Sequence, residues 1–270
     1  MRRSEISAGL FGAVLVLLAL LTAVPDAFAA ECPGPSSSIA TDRPDVTNSS
    51  LVVPFGSLQI ENGINTTGRD SEKTFDGTNS RLRLGIASCL EILVDLPNYV
   101  GALQGSPATG FGNVIPAIKW QVSALPEDWS LSVTAGAGLP TGAAQIAGTG
   151  VQPYIQFPWS HEFNDDWGMS GMFTSFFSPA DPSNQQTFEV TFSVERKISE
   201  RTGVFVEYVG DYPSTGNATN MINMGGEYLV TPTQQFDFHI AFGLGGDAPT
   251  YIIGIGYSFR FDGLFRLAGK

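Results

Sequence analysis

The chain has 270 residues, among them 31 glycines and 19 phenylalanines, and only 15% of its residues are charged. Its net charge of −12 argues against nucleic acid as a partner, because phosphate binding takes an excess of Lys and Arg. The mean hydropathy is +0.07, and beyond the N-terminal region no apolar run approaches about 20 residues, which excludes a bundle of membrane-spanning helices.

The first 29 residues have the features of a secretory signal peptide. Arg2 and Arg3 precede an apolar stretch over residues 10–24, and Ala27-Phe28-Ala29 forms a small-x-small cleavage site. Residues 30–56 follow, rich in Pro, Ser and Asp and without periodicity. We therefore expect an exported chain that begins with an extended periplasmic leader.

From residue 57 to residue 261, short alternations of apolar and polar side chains repeat along the chain. Phe188, Val190 and Phe192, for example, alternate with polar neighbours. Period-two alternation places all apolar side chains on one face of a strand. In an exported chain this predicts an all-β fold, a transmembrane antiparallel up-and-down β-barrel of about 12 strands with a polar lumen. The predicted strands are 57–67, 79–88, 90–99, 111–124, 129–139, 150–162, 167–177, 186–198, 202–212, 219–230, 235–245 and 250–261.

The connectors between these strands alternate between two classes. One class is short and tight, and the other is longer and rich in Gly, Ser and Thr, as in outer-membrane barrels with periplasmic turns and extracellular loops. An even strand number then places both termini in the periplasm, followed at the end by a tail over residues 262–270. The tryptophans flank the short turns, which is typical of an aromatic girdle at the membrane surface: Trp120, Trp129, Trp159 and Trp167.

The two cysteines fall on the periplasmic side of this arrangement. Cys32 lies in the leader and Cys89 in the first short turn. Two unpaired thiols are the simpler alternative, but exported chains meet an oxidising environment. Because neither residue has to cross the membrane to reach the other, we predict a Cys32–Cys89 disulfide that ties the leader to the barrel mouth.

The segments TDRPDVT (41–47) and VPFGSLQIENG (53–63) resemble the opening of one family of outer-membrane transporters, which is assigned to the meta-cleavage pathway of phenol degradation. RLRLGI (81–86), a turn, and LEI (90–92) are similar to its next pair of strands. The resemblance covers roughly residues 41–95. It implies a small barrel with a transport role and solutes that are small aromatic or hydrophobic compounds.

Assigning the apolar register to lipid leaves the charged side chains facing the lumen. A charge on the lipid face near the midplane costs up to ~2–4 kcal/mol, so inward placement is strongly favoured. Acids outnumber bases, which predicts a mild cation preference if the lumen is open. The predicted lumen-lining residues are Glu61, Arg81, Arg83, Glu91, Asp95, Lys119, Glu162, Glu189, Glu195, Glu207, Glu227, Asp237, His239 and Arg260.

Two arrangements of this lumen stay open. In the first it is a narrow passage for solutes. In the second it is closed by ion pairs, for instance Arg81 and Arg83 between the carboxylates of neighbouring strands. Separately, the leader can enter the lumen as a partial plug, with Asp42, Arg43 and Asp45 paired to wall charges.

The sequence therefore favours a monomeric passive channel over a sealed structural barrel and over an outer-membrane hydrolase. Asp237, His239 and Ser258 are the main candidate catalytic group, and strand parity turns them away from lipid substrates. The other histidine, His161 beside Ser160, lies near a turn at the periplasmic rim. No catalytic residue is assigned, and no metal or other cofactor is expected, because His and Cys lack ligand spacing. The expected partners are outer-membrane lipid, small solutes and, during assembly, the barrel-insertion machinery that recognises an aromatic-ended last strand.

Overall fold

The computed structural model describes residues 37–123, 125–178 and 185–264. Cys32, the predicted signal peptide and most of the predicted tail lie outside the described residues. The strands are β1 (Leu58–Arg69), β2 (Glu72–Ala87), β3 (Leu90–Asp95), β4 (Tyr99–Gln104), β5 (Gly110–Phe111), β6 (Ile115–Gln121), β7 (Trp129–Gly138), β8 (Gln152–Glu162), β9 (Trp167–Phe177), β10 (Gln186–Ser199), β11 (Thr202–Pro213), β12 (Thr219–Thr231), β13 (Gln234–Gly246) and β14 (Tyr251–Phe261), and one helical turn, α1 (Ala144–Ala147), follows β7.

The described strands form a closed antiparallel barrel of twelve strands, as the alternation predicts. β1 closes the barrel because it pairs with β2 on one edge and with β14 on the other, where Leu58 lies opposite Phe261. The third and fourth strands are each interrupted. β3 and β4 both pair with β2, and they in turn pair with β6 and β5.

Two strand boundaries differ from the sequence-based prediction. β2 begins at Glu72 rather than near residue 79, so the predicted loop 68–78 is mostly strand, with Arg69 opposite Glu72. Its outer half is polar and so lacks the alternation by which strands were recognised. The predicted strand 90–99 breaks after Asp95, because Pro97 has no N–H to contribute to the ladder.

Side-chain exposure follows strand parity in the sense expected of a barrel in lipid. Along β11 the apolar Val206 is 53% exposed, whereas its neighbour Glu207 is completely buried. Arg83, Glu91 and Lys119 are buried to the same extent. The interior is therefore polar and the outer surface apolar. The structure has, within its described ranges, no helix with the length and apolar character of a membrane span.

Residues 37–56, the described part of the leader, run inside the barrel. Backbone N–H groups of Asp42, Thr47 and Val53 donate hydrogen bonds to inward-facing carboxylates on three separate strands. Because those carboxylates belong to β1, β11 and β3, the leader reaches both sides of the lumen. The described part of the leader thus lies in the lumen, in the position of a partial plug.

Candidate functional site

The centre of the lumen holds a buried ion cluster around Arg83 of β2. Its Nη1 lies 3.1 Å from Glu61 Oε1 on β1, and its Nη2 lies 3.0 Å from Glu91 Oε1 on β3. These are ion pairs between neighbouring strands. Lys119 Nζ of β6 approaches Glu91 Oε1 at 3.4 Å. In a low-dielectric interior such a network is stable only while its members stay paired.

Asp42 brings a carboxylate of the leader into this cluster. Its side chain accepts from Arg81 Nη1 at 2.9 Å and from Lys119 Nζ at 3.2 Å, and lies 3.2 Å from Arg83. Burial opposes ionisation of Asp42, but the positive charges of Arg83, Lys119 and Arg81 hold its pKa well below its usual range. Asp42 is therefore an anionic anchor of the leader. Arg81 also pairs with Asp95 of β3, Nε to Oδ1 at 2.6 Å.

Arg43 extends to the wall formed by β1, β14 and β13, where two inward-facing glycines make room for it. Its Nη2 lies 3.2 Å from Asp237 Oδ1 on β13. A Cβ on Gly63 of β1 or on Gly256 of β14 would overlap with the guanidinium group. Gly85 of β2 does the same for the leader backbone, since a Cβ there would overlap with the carbonyl groups of residues 53 and 54. These close contacts between glycines and the leader were not predicted from the sequence. A glycine at an inward-facing strand position is the feature that could have indicated them.

Glu207 of β11 holds the middle of the leader. Its carboxylate accepts from Val46 N at 2.9 Å, from Thr47 N at 2.7 Å and from Thr47 Oγ1 at 2.7 Å. Asn223 Nδ2 of β12 donates a further bond at 2.9 Å. Two backbone N–H groups and a hydroxyl converging on one carboxylate form charge-assisted hydrogen bonds, the stronger kind. Glu207 is therefore a second anchor.

Other carboxylates on this side of the wall face neutral donors. Glu189 accepts from Thr174 Oγ1 at 3.2 Å and Glu195 accepts from Ser170 Oγ at 2.6 Å. Glu227 of β12 lies directly opposite Asp237 of β13. This half of the wall is consequently more acidic than the half that carries the Arg83 cluster.

Two further wall residues of the predicted set, Arg260 and Glu162, lie at the short-turn end of the lumen. Arg260 of β14 donates to the carbonyl oxygen of Ser38 at 3.0 Å and pairs with Asp262 at 2.8 Å. Glu162 ends β8 at the short turn and is exposed. Arg260 therefore fixes the entry of the leader, whereas Glu162 lies at the rim.

The three residues of the candidate catalytic group do not come together as a catalytic site. All three lie in the described part of the chain. Ser258 is opposite Gln235, while Asp237 is opposite Gly256 and pairs with Arg43. The His239 ring nitrogens lie 3.1 Å from Asn223 Oδ1 and 3.3 Å from Asn65 Oδ1. A nucleophile requires a base within hydrogen-bond reach that is itself oriented by a third group. The three residues instead take part in wall and leader contacts.

Two cavities flank the leader. The outer cavity, about 390 Å³, lies toward the long loops and is lined by Asn65 and Asn98 among others. The inner cavity, about 870 Å³, lies toward the short turns and is lined by Glu195 and Glu227. Arg43, Asp45 and Asn48 line both, so the leader is the partition between them.

The tryptophans and Cys89, which were predicted at the short-turn end, lie there. The ring of Trp129 stacks on His161 at 4.3 Å and lies 6.1 Å from that of Trp159. Cys89 occupies the turn between β2 and β3 and is not a free cysteine. Since Cys32 lies outside the described residues, the Cys32–Cys89 disulfide stays a prediction.

A closed twelve-strand barrel with an apolar outer surface and a charged lumen is the architecture of outer-membrane channels, and solved structures of that class share this fold. The COG4313 outer membrane channel from Pseudomonas putida F1 is 11% identical, with a TM-score of 0.64 over 79% of this chain and 98% of that one. The NanC porin is 10% identical, with a TM-score of 0.55 over 75% of this chain and 98% of that one. The KdgM porin in complex with disordered oligogalacturonate is 6% identical, with a TM-score of 0.52 over 76% and 99%. No curated protein matches the sequence.

Residues 41–261 match the family described as "Putative MetA-pathway of phenol degradation", and the chain belongs to that family. The match begins at Thr41, in the leader, and ends at Phe261, the last residue of β14. The family assignment made from residues 41–95 is thereby confirmed. The family unit includes the leader segment that lies within the lumen as well as the barrel.

Proposed function

We propose that this protein is a monomeric outer-membrane channel through which small solutes diffuse passively around the leader. The observation that carries the proposal is the polar lumen with its two cavities, which lie on either side of leader residues 43, 45 and 48. The short turns and both termini then lie in the periplasm, because outer-membrane barrels have short periplasmic turns. The description of the family adds small aromatic compounds to the candidate solutes.

The acidic half of the wall gives this channel its expected ion preference. Glu189 and Glu195 bond to neutral hydroxyl groups rather than to cations, and Glu227 faces another carboxylate across the sheet. Rings of carboxylates in a pore favour cations. We therefore expect cations to pass more readily than anions.

Conductance of the refolded full-length mature chain in a planar lipid bilayer tests the proposal. Discrete small channels, with a reversal potential in a salt gradient that indicates cation selectivity, are the expected result. A variant with Glu195 and Glu227 both changed to Gln should conduct but lose selectivity. A silent bilayer with correctly folded protein would contradict the channel.

A sealed structural barrel is the second candidate, and the leader contacts are what favour it. The Asp42 and Glu207 anchors fix the leader at two points of the wall. The same bilayer measurement separates the two candidates, since a sealed barrel gives no current until an anchor is removed.

A further inference from the structure

Five asparagine side chains line the outer cavity, beside six charged residues. Asn48 belongs to the leader, and Asn65, Asn79, Asn98 and Asn113 belong to the wall and its connections. The lining contributed by the described part of the chain contains no aromatic ring. Amide groups both donate and accept hydrogen bonds, so they suit hydroxyl-bearing ligands.

Asp76 of β2 holds three of these amides in position. Its Oδ1 accepts from the Nδ2 atoms of Asn79 at 2.6 Å, Asn65 at 3.2 Å and Asn98 at 3.3 Å. Each amide nitrogen carries two hydrogens and uses one of them for this bond. Three N–H donors therefore remain on groups that a common acceptor has already oriented, which lowers the entropic cost of binding a ligand.

The charges around the outer cavity are neutralised within the wall and the leader. Arg81 lies between Asp42 and Asp95, and Arg43 pairs with Asp237. For Asp45, burial and the nearby carboxylates of Glu207 and Glu195 raise the pKa well above its usual value, which favours the uncharged form. An anionic ligand would therefore find no unpaired cation here and would have to give up its hydration.

We propose that the outer cavity binds small, uncharged solutes that carry several hydroxyl groups, which the amides of Asn65, Asn79 and Asn98 hold. The idea that this binding is a recognition step before passage through the barrel rests on the proposed channel function. A volume of about 390 Å³ is near the lower end of ligand pockets and suits a single sugar-sized ring. A ring without hydroxyl groups would leave the amides unpaired, which is unfavourable.

Ligand-observed saturation-transfer NMR on the full mature chain in detergent tests the proposal. The probes are glucose, gluconate of similar size with a negative charge, and benzoate as an aromatic anion. Glucose is expected to bind more tightly than either anion. Changing both Asn65 and Asn98 to Leu should weaken glucose binding by about tenfold or more, and Asn98→Leu alone should weaken it less.

Asn217→Leu is the matched control, because Asn217 pairs with Asp247 on the outer loops and does not line the cavity. It should bind glucose as the unmodified chain does. Tighter binding of benzoate or gluconate, or equal glucose binding by the double variant and the unmodified chain, would overturn the proposal. If glucose binds but the bilayer is silent, the channel fails and the binding site stands. If the bilayer conducts but glucose does not bind, the binding site fails and the channel stands.

Discussion

The backbone N–H of Thr47 donates a 2.7 Å hydrogen bond to Glu207, a residue 160 positions further along the chain. This contact joins the leader to the strand wall opposite the Arg83 cluster. Glu207 is fully buried, so the bond is shielded from water. The position of the leader in the lumen consequently depends on a few long-range polar contacts, each of which can be removed separately.

Glu207→Gln should loosen the leader and raise the single-channel conductance. The amide lacks the negative charge and presents an NH₂ group to donors, whereas hydrogen bonds to charged groups contribute about 1.5–3 kcal/mol each. Planar-bilayer recording of the variant measures the change. Glu189→Gln is the control, because Glu189 bonds to Thr174 and not to the leader. Equal conductance in the two variants would count against Glu207 as an anchor.

Gly85→Ala should displace the leader near Pro54 and destabilise the protein by roughly 1–3 kcal/mol, the usual cost of overpacking. The added Cβ would overlap with backbone carbonyl groups, which cannot rotate away as a side chain can. Gly138→Ala is the control, because the nearest atom to its Cβ, Oε1 of Gln152, lies at an ordinary 3.4 Å. Denaturant unfolding in detergent compares the two. Equal free energies of unfolding would show that the leader is not seated at Gly85.

Asp45→Asn should stabilise the protein at neutral pH and have little effect below about pH 4. Burial and the charges of Glu207 and Glu195 raise the pKa of Asp45, so the folded chain binds this proton more tightly than the unfolded chain does. The stability that Asp45 contributes is therefore full below its unfolded pKa of about 3.9 and declines as pH rises toward its folded pKa. The difference in unfolding free energy between variant and parent should grow as the pH rises above about 4.

Asp42→Asn is expected to act in the opposite direction. Because three cations lower the pKa of Asp42, its stabilising contribution is present above the unfolded pKa and is lost only in strong acid, as pH falls through its folded pKa. Breaking this buried set should cost about 3–5 kcal/mol at neutral pH. A pH-independent effect of Asp45→Asn, or a stabilising effect of Asp42→Asn at neutral pH, would contradict the charge arrangement.

The predicted Cys32–Cys89 disulfide should leave no thiol to label in unreduced, denatured protein. Closing a loop of nearly 60 residues stabilises the fold by about 4 kcal/mol in the chain-entropy model. Cys89→Ser should lower the free energy of unfolding by a similar amount, and reduction of the parent should reproduce the effect. Two labelled thiols in the unreduced parent would exclude the bond.

Much of the barrel could be predicted because its information is local. Alternation along β10 and β11 reports which side chains face lipid, and that environment acts on each residue separately. The outer half of β2 could not be recognised in this way, since residues 72–80 are mostly polar on both faces and show no alternation. The break after Asp95 could have been anticipated from Pro97, which removes a ladder hydrogen bond wherever it occurs.

The sequence by itself determined the strand rhythm, the burial of charge and the membership in an outer-membrane family. Only the tertiary structure decided that the leader crosses the lumen, that Asp42 and Glu207 hold it, and that three asparagines converge on Asp76. These contacts join residues far apart in the chain. Each depends on the closure of the barrel, which sets where inward-facing side chains of different strands meet. No local sequence pattern contains the spacing between side chains on different strands.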